Sequence, residues 1–309
     1  MAGVNLYTSR DQRRRTWAWL TPVLVWLFIQ FGGRISEFAA GLVGLHSSAA
    51  SGRWQDNIVA FFSWGTVLLA LGLWLRFWEG RQLSDIGFAG RPGPRFIAGL
   101  IGGLGMVMVV VAAGVLLGGY TITGPGAWFG HLTPTWLFAA VLTLAGGTLQ
   151  AAAKEALFRG WLMQAFARSW GAGLAVAANV AAFAVIHGLH YAPSPQAMTG
   201  IVNLGLMSWL LGRVAVRDNS LWGVCGLHTA WNLTCNLGLG LNVNGEHLNV
   251  TPLLLAVSPQ PDAPWWLTGA DFGPNGSVLM TAVIAVVLLA GRRRTRARRR
   301  YDDDDDILE

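Results

Sequence analysis

Lysine is nearly missing from this chain of 309 residues: Lys154 is the only one, and arginine supplies the other positive charges. Charge of either sign is scarce too, at 12% of residues against 53% hydrophobic ones. That is about half the charged fraction of a soluble globular domain. So little charge excludes an ordinary soluble fold and, with long apolar runs and sixteen tryptophans, points to a polytopic membrane protein. Two cysteines, Cys225 and Cys235, exclude a disulfide framework. On one helix they lie about 15 Å apart along the axis, too far to bridge.

The net charge of +6 is gathered in Arg10, Arg13–Arg15 and the run Arg292–Arg300. Each run abuts an apolar span, so both read as topogenic flanks rather than nucleic-acid contacts. Residues 1–16 form a basic N-terminus that leads into a retained first span, with no small-residue cleavage site. Residues 292–309 form a basic and then acidic tail. Between them, residues 17–291 hold about eight spans, near 17–33, 57–77, 96–118, 134–164, 172–189, 197–216, 220–240 and 276–291. The fold class is all-α, a bundle of about eight transmembrane helices. With the N-terminus inside, Arg76, Arg81, Arg91, Arg95, Arg168, Arg213 and Arg217 all fall in inside loops. The outside loops carry only Arg34 and Arg53, which satisfies the positive-inside rule and places both termini in the cytoplasm. The loop after Arg34 has room for a short interfacial helix. Residues 242–277 read as a structured outside loop or lid in which Pro261, Pro264 and Pro274 break helices. Arginine in place of lysine fits a GC-rich bacterial genome, hence a multi-pass protein of the bacterial inner membrane.

Within this apolar background three spans each present a polar pair on one helical face. Lys154 and Glu155 precede Arg159 in the fourth span, and Glu155 and Arg159 are i,i+4. An ion pair that offsets its own insertion cost explains these two by themselves. His187 and His190 are i,i+3 near the outer end of the fifth span; interfacial exposure explains His190. His228 and Asn232 are i,i+4 in the seventh span, where each could simply hydrogen-bond a neighbouring helix. Asn232-Leu-Thr234 also spells a glycosylation acceptor, which burial in the membrane argues against. Together the pairs make a different pattern. One Glu and two or three His form a zinc or proton-transfer set, with Glu155, His187 and His228 as the ligand candidates. Water activated there attacks a carbonyl, and an Asn or Arg stabilises the oxyanion.

The series Glu155-x-x-Phe158-Arg159-Gly160, then Phe183-x-x-x-His187, then His228-x-x-x-Asn232 resembles the CPBP family. These are the CAAX-protease and bacteriocin-processing intramembrane proteases, also called Abi. The resemblance covers a core of about residues 134–240, with a minor echo in Leu83-Ser-Asp-Ile-Gly-Phe88. It implies an intramembrane metallo- or glutamate peptidase cleaving a membrane-embedded or membrane-delivered peptide or protein, with membrane lipid and that substrate as partners and no nucleic acid. It implies a supporting role for Glu155, water or metal contact for His187 and His228, and an oxyanion role for Asn232. The family pattern is Glu-Glu-x-x-x-Arg, which puts Lys154 where the family holds its water-activating carboxylate. Three accounts of Lys154 stand open: Glu155 serves as base; the chain handles a membrane partner or does other chemistry in the same cavity without peptide hydrolysis, where a deprotonated lysine could itself be a base; or the lysine is an inactivating substitution. An ammonium repels Zn²⁺, so the lysine also weighs against the bound metal.

Overall fold

The computed structural model describes residues 6–7, 14–45, 54–130, 132–189 and 191–305. Five helical stretches are long and apolar enough to cross a membrane. They are α1 (Thr21–Leu42), α2 (Trp54–Leu73) extended by a π-helical turn Trp74–Glu79, α3 (Gly93–Leu116), the continuous run Pro134–Gly188, and α6 (Pro195–Asp218). The run Pro134–Gly188 comprises α4 (Pro134–Glu155), a π-helical segment Ala156–Leu162 and α5 (Met163–Gly188). Inside α5, Gly171 has φ 79° and ψ 161°, a conformation closed to helices and open chiefly to glycine. The helix breaks there, so the run crosses the bundle as two limbs. A shorter helix α7 (Trp222–Leu233), with its own π-helical turn Thr234–Gly238, follows. After the one-turn α8 (Trp265–Thr268), α9 (Val278–Asp305) contributes a last apolar stretch, Val278–Gly291.

Several expectations from the sequence are corrected. Helix α1 continues unbroken past Arg34 to Leu42, so Arg34 lies on a helix rather than in a loop, and no separate interfacial helix follows it among the described residues. The backbone hydrogen bonds of a continuing helix are satisfied internally, whereas an arginine in a loop needs other partners. Arg81 is buried, not a solvated loop charge. Pro264 does not end structure in the loop after α7; it directly precedes α8, since proline suits the start of a helical turn. That loop also holds strand β2 (Leu255–Pro259), which pairs antiparallel with β1 (Tyr120–Pro125) from the α3–α4 connection. Tyr120 donates from its hydroxyl to the Thr268 carbonyl at 2.6 Å, and burial raises its phenol above the usual range.

The helices that carry the polar pairs are held by close backbone contact. A Cβ on Gly99 of α3 would stand 2.0 Å from the carbonyl oxygen of Gly223, and one on Gly226 of α7 would stand 2.1 Å from that of Phe96. Glycine at these positions lets α3 and α7 touch main chain to main chain. At the opposite end of the bundle the loop after α7 is tied down by amides. Asn203 of α6 donates to the carbonyls of Asn275 and Ser277, both at 2.8 Å, and Trp231 of α7 donates to Asn275 Oδ1 at 2.8 Å.

Candidate active site

Glu155 closes α4, and the π-helical segment that starts after it carries Arg159. Both side chains are fully buried. Arg159 Nη1 donates to Glu155 Oε1 at 3.1 Å, the i,i+4 pair read from the sequence. The same oxygen meets His228 Nδ1 of α7 at 2.7 Å. A carboxylate oxygen only accepts, so Nδ1 carries the proton and the neutral ring presents its lone pair at Nε2. His187 arrives at the same tautomer by another route. Its Nδ1 lies 2.9 Å from the Phe183 carbonyl one turn back, which again leaves Nε2 as the acceptor.

Phe183 links the two halves. Its ring stacks on the His187 imidazole, with centroids 4.0 Å apart, and the Arg159 guanidinium sits 4.7 Å from its centroid. An arginine over an aromatic face is stabilised by the ring quadrupole, more so when both are removed from water. Phe158 packs edge-on against Phe183 at 4.8 Å. A contact path therefore runs His228–Glu155–Arg159–Phe183–His187, so α4, the π-helical segment, α5 and α7 bring four of the sequence-predicted residues to one place. Asn232 lies one turn beyond His228 on the same face and is half-buried. Lys154 is half-buried as well, with Nζ 4.9 Å from the centroid of Trp64 on α2. Neighbours on a helix point about 100° apart, which is why Lys154 and Glu155 look to different partners. His190 lies outside the described residues. Cys225 and Cys235 are buried free thiols.

The site is underfilled. Glu155 Oε2, Arg159 Nε and Arg159 Nη2 are buried without a hydrogen-bond partner among the described residues. These same groups do not suit a metal. Glu155 Oε1 is occupied by two donors, and no group of three His, Cys, Asp or Glu side chains gathers as a metal-binding set among the described residues.

Sequence reasoning missed two supports. Tyr7, in the polar N-terminal stretch, donates to the Arg159 carbonyl at 2.9 Å, and its burial pushes the phenol pKa above the usual range. Nothing in the sequence around Tyr7 signals a core residue. Glu79 ends the α2 stretch as a second buried carboxylate, and its signal, an acid between Arg76 and Arg81, looks like any membrane-edge charge. It accepts from Trp161 Nε1 of the π-helical segment at 2.9 Å, which fixes the far side of the helix turn that carries Arg159.

Residues 133–234 match the family model described as type II CAAX prenyl endopeptidase Rce1-like. The match begins at the cap of α4 and ends in the π-helical turn after α7, so it encloses Lys154, Glu155, Arg159, His187, His228 and Asn232. No curated protein and no solved structure matches the chain. The stretch that builds this site is thus similar to the type II CAAX prenyl endopeptidase Rce1-like family, over residues 133–234 of the chain.

Proposed function

We propose that this chain is an intramembrane peptidase that cleaves a membrane-associated peptide or protein within the α4–α5–α7 cluster, in a bacterial inner membrane with both termini cytoplasmic. The observation that carries the reading is the 2.7 Å contact between Glu155 and His228, made across two helices by residues that the sequence separates widely. A buried carboxylate that holds one ring nitrogen of a histidine fixes its tautomer and stabilises the imidazolium that forms when the other nitrogen takes a proton. In this reading Glu155 positions His228, and His228 Nε2 accepts the proton of the attacking water. The Asn232 amide donates to the developing oxyanion, a contribution worth roughly 10²–10³ in rate where such donors have been removed.

One observation favours a second reading, in which the cavity holds a membrane partner without cutting it. The half-buried Lys154 occupies the position where the resemblance expects a water-activating carboxylate. The two readings separate in one experiment on the purified chain in proteoliposomes, with a membrane-anchored fluorogenic peptide library as probe. The peptidase reading expects hydrolysis by the unaltered chain and a loss of about 10²–10⁴-fold in His228→Ala. Hydrolysis that survives His228→Ala rejects the proposed site. An inert starting chain in which Lys154→Glu creates activity establishes the second reading instead.

A further inference from the structure

Tyr7 lies in a polar stretch ahead of α1, yet it is only 3% exposed. Its hydroxyl donates to the Arg159 carbonyl at 2.9 Å, and the backbone N–H of Leu6 donates to Asn219 Oδ1 at 2.8 Å. Two adjacent residues thus reach both the π-helical segment and the turn between α6 and α7. We propose that Leu6 and Tyr7 form a strap that closes this end of the Glu155–Arg159 cluster to water and opens when Asn219 releases it. This inference stands whether or not the chain hydrolyses a peptide.

The contacts show what the strap covers. A Cβ on Gly87 would stand 3.2 Å from Leu6 Cδ1 and 2.7 Å from Leu221 Cγ, and one on Gly160 would stand 3.1 Å from Leu221 Cδ1. Leu6, Gly87, Gly160 and Leu221 therefore meet at one place, and Leu221 is fully buried there. Gly160 directly follows Arg159 in the chain. Cys225 stands one turn beyond Leu221, with its N–H bonded to the Leu221 carbonyl at 2.9 Å. The charges of Glu155 and Arg159 reach both the Tyr7 phenol and the Cys225 thiol. A column thus runs Leu6–Leu221–Cys225 beside the cluster, and Tyr7 closes it against Arg159.

Asn219 is the latch. It has φ 47° and ψ 41°, the left-handed conformation that ends α6. Glycine is the usual residue at such a helix end, with asparagine the common alternative. Asparagine brings an amide oxygen, and here that oxygen accepts from Leu6. One neutral hydrogen bond of this kind shifts an opening equilibrium about fivefold. The groups behind the strap give opening a driving force. Glu155 Oε2, Arg159 Nε and Arg159 Nη2 are buried without a partner among the described residues. Water admitted beside them would bond to them, so a cover at this end is what keeps them dry.

The test follows alkylation of Cys225 by N-ethylmaleimide in the full chain in mild detergent, read by peptide mass spectrometry. Cys235 is equally buried and lies about 15 Å further along the helix axis, so it reports general loosening. Asn219→Gly keeps the left-handed turn while removing the amide that Leu6 bonds. It is expected to speed Cys225 labelling about fivefold and to leave Cys235 unchanged. Tyr7→Ala empties a buried aromatic site and is expected to speed Cys225 labelling by about 10²-fold. Asn219→Gly decides the matter even if Tyr7→Ala fails to fold. Unchanged Cys225 labelling in Asn219→Gly overturns the proposal. So does equal acceleration of both thiols, which would mean that the whole bundle loosens.

Discussion

Two carboxylates are buried among the described residues, and they differ in how their oxygens are engaged. Glu79 is saturated. Its Oε1 accepts from the Thr16 backbone N–H, the Thr16 hydroxyl and Trp161 Nε1, and its Oε2 accepts from Arg81 at 3.0 Å. Arg81 Nη2 donates to the Asp85 carbonyl and to Gln164, while its Nε has no partner among the described residues. Glu155 is served on one oxygen only, and Arg159 likewise keeps nitrogens without a partner among the described residues. The two sites thus differ at the carboxylate itself, and a buried oxygen left without a donor carries a standing cost. Nature tolerates such an oxygen where something else is gained, and functional sites are where such groups collect. On the proposed reading, the contrast separates a carboxylate that holds the fold from one kept for chemistry, although both are acids at the ends of apolar helical stretches.

The comparison is open to direct attack by amide substitution. Glu79→Gln must turn its new NH₂ toward a donor whichever way the amide faces, and it leaves Arg81 without an anion. It is expected to destabilise by about 3–5 kcal/mol, as for other broken buried pairs. Glu155→Gln leaves the buried Arg159 without an anion in the same way and is expected to cost nearly as much, eased only because its NH₂ can sit where Oε2 has no partner among the described residues. Unfolding in mixed detergent micelles measures both, and a larger loss in Glu155→Gln than in Glu79→Gln would end the distinction. The activities should rank the other way, with Glu155→Gln losing peptide hydrolysis or partner retention and folded Glu79→Gln keeping it. Tyr7→Phe gives the smallest effect, about 1 kcal/mol for one hydrogen bond to the Arg159 carbonyl. Its site-specific readout is loss of a tyrosine that resists ionisation: burial holds the Tyr7 phenol above its ordinary pKa, so it stays protonated where free tyrosines ionise. An ultraviolet alkaline titration should therefore lose a late-titrating phenol in Tyr7→Phe.

Much of this was legible from one sequence because membranes simplify the code. Apolar length marks helices, and polar residues that interrupt it mark sites. The Glu155–Arg159 pair followed from helical spacing alone. The Glu155–His228 contact did not, because spacing within one helix says nothing of which neighbour it faces. Arg81 and Glu79 were opaque for a different reason. A charge at the end of a span reads as solvated, and only the Thr16 segment folding back over them takes them out of water. The β1–β2 pairing was hidden as well. Its strands are five and six residues long, interrupted by proline and glycine, and lie far apart in the chain. Tyr7 carried no periodic signal at all, since a lone residue in a polar stretch has none.

The glycine contacts between α3 and α7 bear on motion. Where main chains touch, no side chain remains to change rotamer or yield, so the two helices shift together or not at all. His228 therefore moves as if mounted on α3, while Glu155 and Arg159 ride on a run that contains a π-helical segment and a hinge-like glycine. The bundle thus divides mechanically into a stiff jaw and a compliant one, and the bond between Glu155 and His228 is the clasp that joins them.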